Sequence, residues 1–199
     1  AFGDYIDMAI MARKAIKGDP AKVIEYYDDE MAEMTSNERR IEKRMDEALK
    51  NGEFVVYYQP KYQLRSETIS GAEALVRWRD PEKGLVSPGI FIPIFERDGF
   101  IIQLDFFVYE EVLKDMVKWQ NEGRRPIIVS MNVSRAHIGT ADFLQKLTEL
   151  VDSYGVPRNR LELELTETVL GGKRQDILSV IVSCKRAGFQ ISIDDVGSG

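Results

Sequence analysis

An α/β fold built on a parallel sheet is the class this sequence predicts. From Phe54 onward strand-like segments alternate with helical ones. The last three strands are each separated by a helix, the pattern of βαβ units. Those strands also divide cleanly into one apolar and one polar face.

Residues 5–16 place Tyr5, Met8, Ala12, Ala15 and Ile16 on one helical face, and Gly18-Asp19-Pro20 ends the pattern. Val23, Ile24, Tyr26 and Tyr27 predict a short second segment. Thr35-x-x-Glu38 reads as a capping box, and Ile41, Met45, Ala48 and Leu49 form a helical stripe ended by Gly52. The charged outer face of that helix (Glu38, Arg39, Arg40, Lys43, Arg44) makes residues 35–52 a linker between a piece at 1–34 and a main domain at 53–199. In the main domain, 54–64 and 68–78 predict strands and 93–121 is mostly helical, with Leu104, Val108, Leu113, Val117 and Trp119 apolar. Strands follow at 127–134, 161–167 and 189–195, and helices at 141–154 and 176–187, the latter ended by Gly188.

The chain of 199 residues is 44% hydrophobic and 30% charged, ordinary for a globular protein. A net charge of -6 argues against a broad grip on a nucleic acid polymer. A small, doubly negative nucleotide can still bind where metal ions and arginines meet its phosphates. The single cysteine, Cys184, rules out a disulfide framework and predicts a reducing compartment. Apolar runs such as residues 54–58 are too short to cross a bilayer, and Asp4 and Asp7 leave no room for a signal peptide. The expectation is a cytoplasmic chain without membrane contact of its own, whose longer parent could still be anchored upstream.

Period-2 alternation puts Glu162, Glu164 and Thr166 on one face of their strand, opposite Leu161, Leu163 and Leu165. It likewise groups Gln190, Ser192 and Asp194, groups Ser130, Asn132 and Ser134, and groups Glu73, Leu75 and Arg77. Four strands therefore each bring an oxygen donor: Glu73, Asn132, Glu164 and Asp194. Any one of these is ordinarily a solvated strand end. Four together are different, because carboxylates on neighbouring strands repel unless a cation holds them. With no histidine or thiol among them, the cation would be hard, Mg²⁺ or Mn²⁺ before Ca²⁺ and not zinc. Asp195, beside Asp194, would serve a second ion. Among the other candidates, His137 reads as a surface residue and Cys184 as core. Trp78 and Trp119 read as packing, and Gly197-Ser198-Gly199 lacks the Lys-Ser/Thr of a phosphate loop.

Tyr58-Gln59-Pro60-Lys61 followed by Gly71-Ala72-Glu73-Ala74-Leu75-Val76-Arg77-Trp78 resembles the opening of EAL domains. Gly84-Leu85-Val86-Ser87-Pro88, Phe91-Ile92-Pro93, Asn132-Val133-Ser134, Glu164-Leu165-Thr166-Glu167 and Asp194-Asp195-Val196-Gly197-Ser198-Gly199 follow in that family's order. The resemblance implies a modified TIM (β/α)8 barrel whose first strand runs against the others, of which about five strands fall in this chain. It also implies hydrolysis of cyclic di-GMP to linear pGpG with two Mg²⁺ or Mn²⁺ ions. Glu73, Asn132, Glu164, Asp194 and Asp195 would be metal ligands, and Gln59, Leu75 and Arg77 would meet substrate. Glu73 and Glu167 would be the catalytic residues, Glu167 by supporting the loop that begins at Asp194.

By the same resemblance, 1–34 looks like the closing helices of a GGDEF-like domain, and EAL domains pair as homodimers. The family's catalytic lysine, further acids and last three strands would follow Gly199, so the chain to that point is expected to be inactive alone. Val196, Ser198 and Phe95 depart from the usual Phe, Thr and small residue. A non-catalytic EAL module, binding cyclic di-GMP or a protein partner as receptor or scaffold, is the alternative reading.

Overall fold

The computed structural model describes residues 2–16, 26–65, 67–138, 140, 142–166 and 174–194. The chain divides into two compact units, Ala1–Glu47 and Ala48–Gly199. In the first, α1 spans Phe2–Ile16, and α2 spans Asp29–Lys50, its last turn entering the second unit. The start of α2 corrects the sequence reading, since Thr35 and Glu38 lie inside the helix rather than capping it. The Met31 amide instead donates to Asp28 Oδ1 at 2.8 Å. Two acids in the first turn, Asp29 and Glu30, suit the positive helix end, so the helix runs back past the weaker Thr35 signal. Tyr26 and Tyr27 have no regular structure, while Val23, Ile24 and Gly18-Asp19-Pro20 lie outside the described residues.

In the second unit, β1 (Phe54–Gln63) and β2 (Thr68–Asp80) form an antiparallel hairpin, and β3 (Gly84–Val86) pairs antiparallel along β2. The three residues of β3 are too few to show a period, and the sequence reading missed it. Asp80 Oδ1 makes the turn between β2 and β3 by accepting from the amides of Glu82 (2.8 Å) and Lys83 (3.0 Å). The segment predicted as helical over 93–121 is two helices, α3 (Pro88–Asp98) and α4 (Ile101–Asn121). Gly99 breaks them apart at φ 77°, a left-handed conformation that glycine adopts without strain.

Then come β4 (Ile128–Asn132), α5 (Phe143–Tyr154), β5 (Leu161–Thr166), α6 (Arg174–Arg186) and β6 (Gln190–Asp194). The described strands form one sheet in the order β1-β2-β4-β5-β6. The pairs β2–β4, β4–β5 and β5–β6 are parallel.

Ala72, Ala74, Val129, Met131, Leu161 and Leu163 on one face of the sheet are buried, as are Leu104, Val112 and Leu113 of α4 and Leu147 of α5. Cys184 of α6 is buried too, as expected, and burial pushes its thiol up to about 11. A second cluster closes the start of the hairpin. Trp78, fully buried, lies 5.3 Å from Phe54, and Phe91 and Phe95 meet Phe54 edge-on at 5.7 and 5.9 Å. Trp78 Nε1 donates to Glu53 at 2.9 Å, so the indole is packed without an orphaned donor. Phe95 fills the centre of this cluster and reaches Phe100 at 4.8 Å. Trp119 packs on Tyr58 at 4.8 Å, the structural role expected of it.

Gly71 sets the distance between β2 and β4. A Cβ there would stand 2.7 Å from the Ile128 carbonyl oxygen, a backbone atom that cannot step aside. Gly71→Ala is therefore expected to cost about 1–3 kcal/mol and lower the melting temperature. An unchanged melting curve would contradict so close a strand approach.

Candidate functional site

Leucine and methionine claim one face of β4 and β5, so the polar residues must share the other. The strand registers set them in rows. Glu73 of β2 aligns with Ser130 of β4, and Ser130 with Glu162 of β5. One pleat further toward the C-terminal ends, Asn132 aligns with Glu164, and Glu164 with Ser192 of β6. On the other side, β1 brings Gln59 opposite Glu73 and Lys61 opposite Gly71.

Asn132 Nδ2 donates to Glu73 Oε1 at 3.1 Å, so two of the four expected metal ligands touch. Glu164, the third, is 4% exposed, and its Oε2 is buried without a hydrogen-bond partner. Its Oε1 accepts from Lys61. The Lys61 ammonium also donates to Ser130 Oγ at 2.6 Å and Glu162 Oε2 at 3.1 Å, and the Ser130 hydroxyl donates to the same Glu162 oxygen. Partial burial pulls the Lys61 ammonium down, but the hydrogen bonds to Glu164 and Glu162 prevail and hold it above its ordinary value. Burial pushes the Glu162 carboxyl up, yet Ser130 and Lys61 outweigh it and hold the group below the usual range.

Asp194 ends β6 opposite Thr166, two residues beyond the Glu164–Ser192 pair, and only its backbone is described. Glu167, Asp195, Val196 and Ser198 lie outside the described residues. Among the described residues no three His, Cys, Asp or Glu side chains gather closely enough to hold a metal ion. Gln59 is exposed beside Glu73. Leu75 and Arg77 are half-buried and lie progressively further along β2, and Arg77 donates to the Val76 carbonyl at 2.8 Å. The donors described are carboxylate and amide oxygens, a set that suits a hard divalent cation, and Glu164 offers one a free buried oxygen.

Lys61 and Glu162 were missed as site residues. The signal was present: Lys61 is two residues from Gln59 on a period-2 strand, and Glu162 two from Glu164.

His137 requires a correction, because it is buried rather than on the surface. It belongs to the short 3-10 turn Arg135–His137 after β4, stacks on Phe143 at 4.4 Å and meets Asp105 Oδ2 through Nε2 at 2.9 Å. Burial raises the Asp105 carboxyl, and the hydrogen bond from His137 opposes that rise. Asp105 also accepts from the Ser134 amide at 3.3 Å, while the Ser134 hydroxyl donates to Glu96 at 3.2 Å. Beneath them Tyr109 donates to the Asn132 carbonyl at 3.0 Å, and the Val133 amide to the Glu164 carbonyl at 2.9 Å. These bonds fix the backbone that carries Asn132.

Residues 42–199 match the EAL domain model. The chain belongs to the EAL domain family. It is 34% identical over 146 residues to the cyclic di-GMP phosphodiesterase PA2567 of Pseudomonas aeruginosa, covering 73% of this chain and 25% of that protein. It is 32% identical over 159 residues to the cyclic di-GMP phosphodiesterase PdeR of Escherichia coli, covering 80% of this chain and 24% of that one. Among solved structures, the PaMucR phosphodiesterase in complex with c-di-GMP aligns with a TM-score of 0.76 and 29% identity, over 80% of this chain and 65% of that one. The chain thus spans about a quarter of the length of the curated relatives it matches. The parallel sheet with its antiparallel first strand agrees with an incomplete TIM-like barrel of the EAL type. No helix among the described residues is long and apolar enough to cross a membrane.

Removing the Asp105 carboxylate leaves the His137 ring and the Ser134 amide without their shared acceptor. Asp105→Ala is expected to destabilise this EAL domain by about 1–3 kcal/mol in thermal or denaturant unfolding. Wild-type stability in that variant would show the buried pair to be incidental.

Proposed function

We propose that this EAL domain, within its full-length protein, hydrolyses cyclic di-GMP to linear pGpG with the help of two Mg²⁺ or Mn²⁺ ions. One observation carries the reading. Glu73 and Asn132 are in contact, and Glu164 lies in register with Asn132 with a buried, unpartnered oxygen, on the same face of the sheet. The C-terminal ends of parallel strands are where barrel folds assemble their sites.

Glu73, Asn132, Glu164 and Asp194 would hold one ion, and Asp194 and Asp195 the second. Bound there, the ions would supply Lewis-acid polarisation of the phosphate and a bound water of lowered pKa. The reaction opens one P–O bond of the cyclic diester, the hydroxyl going to phosphorus and the proton to the departing sugar oxygen. Arg77 would neutralise a phosphate through a charge-assisted contact, with Gln59 and Leu75 against the same ligand. Glu167 would accept hydrogen bonds from the loop beginning at Asp194 and so orient its carboxylates. Residues 1–34 would be the closing helices of a GGDEF-like domain, 35–52 a linker, and 53–199 the first part of the barrel. The protein would act in the cytoplasm as a homodimer paired through its EAL domains.

Glu73→Ala in the full-length protein is expected to abolish hydrolysis in Mg²⁺ or Mn²⁺ while shifting the melting temperature little, because its described contact is one exposed hydrogen bond. Substantial turnover by that variant refutes the mechanism; retained cyclic di-GMP binding without any wild-type turnover would instead mark a receptor. Glu167→Gln should weaken metal affinity by roughly 10–100-fold, as loss of a supporting hydrogen bond behind a ligand does. Unchanged metal dependence would leave Glu167 without that role.

A further inference from the structure

Lys61 has no part in the scheme above, yet it reaches further across the sheet than the residues that do. Its side chain starts on β1, opposite Gly71 of β2, and its ammonium ends among Ser130 of β4 and Glu162 and Glu164 of β5. Neighbouring strands lie about 4.8 Å apart, so a lysine spans from β1 to β5 only where the sheet curls and nothing obstructs the way. Gly71, with no side chain, leaves that way clear.

Glu162 and Glu164 are two residues apart on one strand and share a face. Two carboxylates so placed repel, and the burial of Glu164 and partial burial of Glu162 sharpen the repulsion. Lys61 lies between them and offsets it. It takes Glu164 Oε1 and leaves Oε2 buried and without a partner.

We propose that Lys61 is a built-in counter-cation: it holds Glu162 and Glu164 while no metal is bound and competes with the divalent ion for Glu164. The inference rests on the metal reading of Glu73, Asn132 and Glu164. An ammonium a few ångströms from a divalent cation repels it, so Lys61 stabilises the metal-free protein and weakens its hold on metal. Lys61 is thus a positioning residue whose two effects have opposite signs. A purely structural lysine would lower stability when removed and leave metal binding unchanged or weaker.

The test uses the full-length protein stripped of metal, with melting temperature read in chelator and Mn²⁺ titrated by calorimetry or electron paramagnetic resonance. Lys61→Met should melt lower without metal and yet bind Mn²⁺ at least about tenfold more tightly. Lys61→Arg, which keeps the charge, should restore both values to near wild type. Glu162→Gln should leave the ammonium wholly to Glu164 and weaken Mn²⁺ binding, and this variant tests the role even if Lys61→Met does not fold. Wild-type protein that binds no Mn²⁺ sinks the metal reading and this inference with it. Wild type that binds, with Lys61→Met equal or weaker or Glu162→Gln equal or tighter, overturns the counter-cation role alone.

Discussion

Negative charge on one face of a parallel sheet must be met by positive charge, and the second unit of this chain is organised around that requirement. The demand arises from β5. Leu161, Leu163 and Leu165 are buried on one side, and strand geometry then forces Glu162 and Glu164 together on the other. Removing either the leucine face or the glutamate face would change the strand; removing the cation would leave the strand intact but its carboxylates opposed. Ser130 contributes a hydroxyl at the same point, so Glu162 is met by two donors while Glu164 keeps one oxygen free. That asymmetry separates a carboxylate serving structure from one available to a ligand.

The helical side of the sheet holds this face still. Tyr109 reaches through the core to the Asn132 carbonyl, and the Asp105–His137 pair pins the turn that follows. Both belong to a network in which each buried polar group has a partner, the condition under which such groups rigidify rather than weaken a core. The aromatic cluster around Trp78 does the same for the hairpin at its other end. Glu73 lies between these two anchors, on the stretch of β2 that pairs with β1 and β4 at once.

What was legible in the sequence follows from the range of the signal. Alternation is local, so it grouped Glu73 with Arg77, Ser130 with Asn132 and Glu162 with Glu164 without knowledge of which strands were neighbours. The family resemblance then supplied the strand reversal and the order of motifs. Features that depend on contact between distant segments did not show. His137 sits in a polar stretch and reads as exposed until Phe143 and Asp105 close over it. The true start of α2 was hidden because Thr35 and Glu38 satisfy a capping pattern, although the preceding residues continue the helix. β3 is three residues long and carries no period at all.

The reversed first strand has a chemical consequence that a parallel one would lack. Because β1 runs against β2, moving along it from Gln59 to Lys61 moves down β2 from Glu73 to Gly71, away from the C-terminal ends of the parallel strands. Gln59 is thereby set level with Glu73, and Lys61 is set below the rows that hold Ser130, Glu162, Asn132 and Glu164. Its ammonium reaches Ser130, Glu162 and Glu164 from the lower side of those rows. A parallel first strand with the same sequence would invert the pair, lifting Lys61 toward the strand ends, where a dianionic ligand and its metal ions would meet the ammonium directly. Strand direction therefore decides whether this lysine neutralises the floor of the site or obstructs its entrance, and the register observed puts it in the floor.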